Sequence, residues 1–127
     1  MQWFKRARRK DIWDEAVKEP FGDIEAAKRI RDICRSATDS AEKVGAAADR
    51  THGKIKGDVE RYERAARAAM EIAMKFSDEL LRDAAVRQIV ELCLKAGNLT
   101  TAKTLFRAIQ ATSIRDDMLR DHPQLQQ

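Results

Sequence analysis

The sequence predicts an all-α fold: an antiparallel helical bundle of about five to six helices ending in a helix–turn–helix hairpin. Three observations carry that expectation. Apolar residues recur at steps of three and four through most of the 127 residues, the period of a buried helix face. Charged residues make up 36% of the chain, above the roughly 25% of an average globular protein, as long helices with a narrow apolar stripe require. Only two prolines occur, Pro20 and Pro123, and both stand where helices are expected to end. The length fits one domain with a modest core. Its expected parts are a basic amphipathic N-terminal segment over residues 1–22, a long helical hairpin over 23–76, and a second hairpin with a short C-terminal helix over 77–127.

The first helical segment centres on Ile12, Trp13, Ala16 and Val17 and stops at the stretch Lys18 to Gly22 that holds Pro20. Asp23 then offers an N-cap. Ala27, Ile30, Cys34, Ala37, Ala41, Val44 and Ala48 follow at heptad spacing, so they form one seam. Its upper half is nearly all alanine. Such a seam permits close helix approach but buries little area, and the facing helix must supply bulk. Gly45, Gly53 and Gly57 each cost about 1 kcal/mol relative to alanine inside a helix. Residues 51–57 therefore read as a turn between two antiparallel helices. The alternative is one continuous helix about 80 Å long, at 1.5 Å per residue, which would need a dimer to cover its seam.

The next helix follows Asp58, with Val59, Tyr62, Ala66, Ala69, Ala73 and Phe76 on its seam. Glu60–Arg64, Glu63–Arg67 and Glu71–Lys75 stand four apart in the favourable orientation and mark its solvent face. Continuing that seam would bury Asp83 and Arg87, so a break is expected near Phe76 to Asp78, with Ser77 as the cap. The helix after it is expected to bury Leu81, Ala85, Ile89, Leu92, Cys93 and Ala96, and Gly97 to end it. A further helix carries Leu99, Ala102, Leu105, Phe106 and Ile109. Ser113 with Asp116 offers a capping-box-like start for a short last helix through Met118 and Leu119. Pro123 and the Gln-rich end are expected to fray.

Gly97-Asn98-Leu99, then Ala102, then Phe106, resembles the second-helix signature of the tetratricopeptide repeat. In that signature the alanine lets two helices approach and the aromatic fills the groove beside the hairpin. The resemblance covers about residues 82–114. The first helix departs from the pattern, with Val86, Val90 and Cys93 where the family places aromatic and glycine residues. The resemblance implies one such hairpin packed on a bundle, and a ligand-facing side on its first helix carrying Arg87, Glu91, Leu94 and Lys95. The same residues also read as a solvated face, with Glu91 and Lys95 as a surface pair.

The formal net charge is +4, but its distribution matters more than its sum. Lys5, Arg6, Arg8, Arg9 and Lys10 crowd the first ten residues, and the rest of the chain holds 20 basic and 21 acidic residues. With Trp3 and Phe4, those cations suit an anionic membrane surface or nucleic-acid phosphates. They also fit a plainer arrangement, with the aromatics packed on the bundle and the cations solvated.

No catalytic constellation is legible. His52 and His122 have no carboxylate or thiol at a spacing that fixes a proton relay. No HExxH pair and no Gly-rich phosphate loop occurs, so neither enzyme activity nor a cofactor is expected. Cys34 and Cys93 sit in apolar helical patterns and are expected to be buried, reduced thiols, which suits the cytoplasm. No apolar run approaches the roughly 18–20 residues of a membrane span, and the start MQWFKRARRK lacks the apolar core of a secretory signal. The expected function is a non-catalytic protein–protein interaction or scaffold module, bound to another protein or to a second copy as a homodimer.

Overall fold

The computed structural model describes residues 11–14, 22–47 and 55–126. Five α-helices follow one another: α1 (Asp23–Ala47), α2 (Lys56–Ala73), α3 (Glu79–Lys95), α4 (Leu99–Phe106) and α5 (Thr112–Asp121). Short 3-10 turns stand at Ile12–Asp14 and Pro123–Leu125, and no strand occurs among the described residues. The helices pack on one another as an all-α bundle around a single hydrophobic cluster.

Two polar ties fix the α1–α2 hairpin as antiparallel. Ser40 Oγ donates to Asp58 Oδ1 at 3.0 Å near one end. At the other, the Asp23 carboxylate accepts from the backbone N–H of Ser77 and of Asp78, each at 3.0 Å. The chain therefore reverses between residues 47 and 56, and the single long helix does not form. Ala48 and Gly53 lie outside the described residues, and the other two glycines do not fall in the connection. Gly45 lies inside α1 and Gly57 inside the first turn of α2. Gly45 is there for packing: a Cβ at that position would overlap the Lys95 carbonyl oxygen, so α1 and the end of α3 meet backbone to backbone.

α1 packs against both α2 and α3, and this widens its buried face. Ala26, Ile33 and Ser40 are buried beside Ile30, Cys34, Ala37 and Ala41, while Ala27, expected on the seam, is only half-buried. A two-helix seam is too narrow for a helix with two neighbours. On α2 the same shift buries Tyr62, Ala65, Ala69, Ile72 and Ala73. Val59, Ala66 and Phe76 stay half-buried. The salt-bridged face does not form as expected: Arg64 turns to Asp11 Oδ2 at 3.3 Å, away from Glu60.

The 3-10 turn at Ile12–Asp14 is held in the α1–α2 angle. Trp13 is buried under the Arg61 guanidinium, 5.0 Å from the ring centroid. Arg61 also donates through Nε and Nη2 to Asp11 Oδ1, and Arg29 donates to the Ile12 carbonyl at 2.9 Å. Ala16 and Val17 lie outside the described residues.

The break before α3 falls where the failing seam placed it, but Asp78 caps the helix, not Ser77: its side chain accepts from Leu81 N at 2.9 Å. Ser77 N is taken by Asp23 instead. α3 buries Ala85, Val86, Ile89, Val90, Leu92 and Cys93, and also Asp83. Leu81, expected inside, is 39% exposed. α3 ends in a Schellman turn: Asn98 N donates to the Cys93 carbonyl and Gly97 N to that of Leu94, with Gly97 at φ +75°. Asn98 at once caps α4 through Oδ1 and Thr101 N, and its Nδ2 donates to the Tyr62 hydroxyl at 3.1 Å. Ala102, Phe106 and Ile109 are buried, but Leu99 is 36% exposed and Leu105 half-buried.

α5 begins at Thr112, one residue before the expected Ser113 cap. The capping box does not form, and a carboxylate from α3 holds the chain just before α5. Asp83 Oδ2 accepts from Gln110 N at 3.0 Å and Ala111 N at 2.9 Å. The segment from Pro123, expected to fray, forms a 3-10 turn over Pro123–Leu125 with Leu125 buried; Gln127 lies outside the described residues.

Candidate interaction grooves

Two open cavities stand out by their chemistry. The first is a trough of about 450 Å³ between α2 and α4, lined by Tyr62, Ala66 and Met70 from one wall and Asn98, Thr101 and Leu105 from the other. Residues 62, 66 and 70 recur every four positions, so they run along one edge of α2. Met74 follows one turn further on and is 68% exposed. From Tyr62 to Met74 this edge is about 18 Å long, at 1.5 Å per residue. Glu63 and Arg67 form the polar rim. The sequence pairs them, yet neither makes an ion pair among the described residues. At the floor, burial pushes the Tyr62 hydroxyl above its ordinary pKa, and Cys93 is its hydrogen-bonding neighbour on the core side.

Ile24 (84% exposed), Met74, Leu80 (58%) and Leu81 are exposed and stand within four residues of the contacts of Asp23 with Ser77 and Asp78. Exposed aliphatic side chains gathered at one end of a small domain mark a contact surface more often than scattered ones do.

The second cavity, about 270 Å³, lies between α1 and α3. Arg31, Arg35 and Thr38 line it from α1 and Gln88, Glu91 and Lys95 from α3, over a floor of Cys34 and Leu92. Burial pushes the Cys34 thiol up to about 12, with Cys93 adding to the rise. Cys93 is raised by burial as well. Both cysteines are buried and unbridged. As protonated thiols at neutral pH they are poor nucleophiles.

The four residues that the hairpin resemblance implied as a ligand face are dispersed over several environments. Arg87 Nε lies 3.3 Å from Glu91 Oε2, and its Nη atoms reach Asp117 at 4.0 Å and Asp121 at 3.5 Å. Glu91 Oε2 is also 3.6 Å from His122 Nε2. These contacts tie α3 to α5. Leu94 is half-buried against the core. Lys95 and Glu91 reach the α1–α3 cavity, beside Arg31 and Arg35, which the sequence did not single out. In the trough, Ala66 and Leu105 were read as core because a seam position and a groove-floor position share one periodicity. Trp3, Phe4, Lys5, Arg6, Arg8, Arg9 and Lys10 lie outside the described residues.

Among the described residues no group of three or more His, Cys, Asp or Glu side chains is placed to hold a metal ion. No described helix is long and apolar enough to cross a membrane. The molecule is thus defined as an all-α helical bundle with two side-chain-lined grooves. No family model, curated protein or solved structure matches the chain.

Proposed function

We propose that this chain is a non-catalytic helical interaction module that takes an amphipathic helix of a partner protein into the α2–α4 trough. The observation that carries this reading is the trough itself: an apolar floor of Ala66, Met70 and Leu105 beside two unpaired rim charges, Glu63 and Arg67. Helix-in-groove recognition needs apolar anchors one turn apart and a walled channel. Two helices make the walls here. Met70 and Met74 are unbranched and adapt to the knobs of a partner. Glu63 and Arg67 stand one turn apart with opposite signs. A partner helix bearing a cation and an anion at the same spacing would be held in one direction.

The TPR-like reading of α3–α4 supports the proposal. The Gly97 turn, the buried Ala102 and the buried Phe106 are the features such a hairpin uses to present a groove. Under this reading Arg87 and Glu91 hold α5 in place, and the ligand is met by α2 and α4. Two unbridged cysteines favour a cytoplasmic setting.

The experiment is site-specific photo-crosslinking in cells that make the protein, with the photo-reactive residue at Met70 and, as a control, at the exposed Ala46 of α1. A discrete adduct from Met70 alone, mapping to an amphipathic helix in the captured protein, is the expected result. An adduct of twice the 14.5 kDa chain mass would replace the partner by a second copy. Identical adducts from both positions, or none from Met70, would remove the trough from consideration.

A further inference from the structure

We propose that the α1–α3 cavity binds a compact oxyanion of two or more negative charges, of the phosphoryl class, on Arg31, Arg35 and Lys95. This site is separate from the trough, and its assignment does not rest on what the trough binds. Several other cations are held by carboxylates: Arg61 and Arg64 by Asp11, Arg82 by Asp83, and Arg87 by Glu91. Arg31, Arg35 and Lys95 make no ion pair and no side-chain hydrogen bond among the described residues, yet all three line one cavity. Three cations that line one cavity repel one another, and an anion between them relieves that repulsion.

The geometry favours a phosphoryl group over other anions. Arg31 and Arg35 are one turn apart on α1, so their planar forks can both address oxygens in the same cavity. Lys95 approaches from the opposite wall as a point charge. The one carboxylate in the lining, Glu91, is already held by Arg87 and lies near His122. Three cations then face a ligand whose charge must approach theirs. A lone carboxylate supplies one charge, and a nucleic-acid backbone needs cations in a strip. Gln88 adds an amide donor to the wall. The floor of Leu92 and the uncharged Cys34 thiol lowers the local dielectric without repelling the anion.

The test is an NMR titration of the ¹⁵N-labelled full chain with inorganic phosphate, with pyrophosphate, and with a phosphoserine peptide beside its unphosphorylated form. Saturable shifts confined to the amides of residues 31–38 and 88–95 are expected. Saturation by phosphate or pyrophosphate assigns a free ligand as the source. Saturation by the phosphopeptide alone assigns a phosphorylated segment. The Arg31→Gln/Arg35→Gln variant should weaken binding at least about tenfold. Lys56→Gln/Lys75→Gln, which removes the same net charge from exposed sites elsewhere, should leave it within about twofold. Shifts that do not saturate, that spread over all cations, or that weaken equally in both variants overturn the proposal.

Discussion

Gly45→Ala lowers stability by about 1–2 kcal/mol, although the same change inside an isolated helix would raise it by about 1 kcal/mol. The reversal comes from a single contact. A methyl at residue 45 meets the Lys95 carbonyl oxygen, which is backbone and cannot swing aside. Inserting a group into a closed contact of this kind costs about 1–3 kcal/mol, more than the helix propensity returns. The melting temperature should fall by about 4–8 °C in a chain of this size. Gly57→Ala is the matched control, because nothing lies within 4 Å of a Cβ there. It should stabilise by about 0.5–1 kcal/mol. Thermal unfolding of both variants decides the matter: if Gly45→Ala also raises the midpoint, the close approach of α1 to α3 is wrong.

The second large effect is expected at Asp83. Its carboxylate is buried and accepts the two backbone N–H groups that precede α5, while its other oxygen lies 3.5 Å from Arg82 Nη2. A charge-assisted hydrogen bond contributes about 1.5–3 kcal/mol, and removing the carboxylate also removes its desolvation penalty. The net loss for Asp83→Ala is about 2–3 kcal/mol. Urea unfolding measures it, and amide exchange locates it, since protection should fall first in α5. Asp83→Asn keeps an oxygen for the two N–H groups but turns an amide nitrogen toward Arg82, so its loss should be intermediate. A midpoint unchanged for Asp83→Ala would mean that the chain before α5 is held by solvent and not from α3.

Much of the fold was legible in the sequence because helix periodicity is local. The break before α3 followed from the charge that Asp83 and Arg87 would have put on an apolar seam. Gly97 declared the α3–α4 turn by its place after the last apolar position. What stayed illegible depends on contacts across the chain. Asp83 spoiled a seam, and only the fold shows that it is buried to hold the backbone before another helix, 27 and 28 residues away. Gly45 looked like a helix breaker, and only the position of Lys95 explains it. The grooves were harder still. Ala66 and Leu105 obey the same spacing whether a helix covers them or leaves them open. Arg31 and Arg35 become a pair of interest only when Lys95 arrives from 60 residues further on.

The core between the two grooves is thin. Tyr62 forms part of the trough floor, Cys34 part of the cationic cavity floor, and Cys93 lies between them in their chain of interactions. A ring and two sulfur atoms thus link the floors of the two cavities. Packed interiors transmit displacement, since they hold few voids to absorb it. A helix held in the trough would press on Tyr62, and the expected path of displacement runs through Cys93 and Cys34 to the wall that carries Arg31 and Arg35. Thermodynamic linkage then imposes symmetry: the factor by which one ligand changes the other's affinity must be the same in both directions. Pyrophosphate titrations with and without a trough-bound helix should therefore give different dissociation constants, and Cys93→Ala should shrink the difference. Equal constants would mean that the two surfaces work as separate devices on one scaffold.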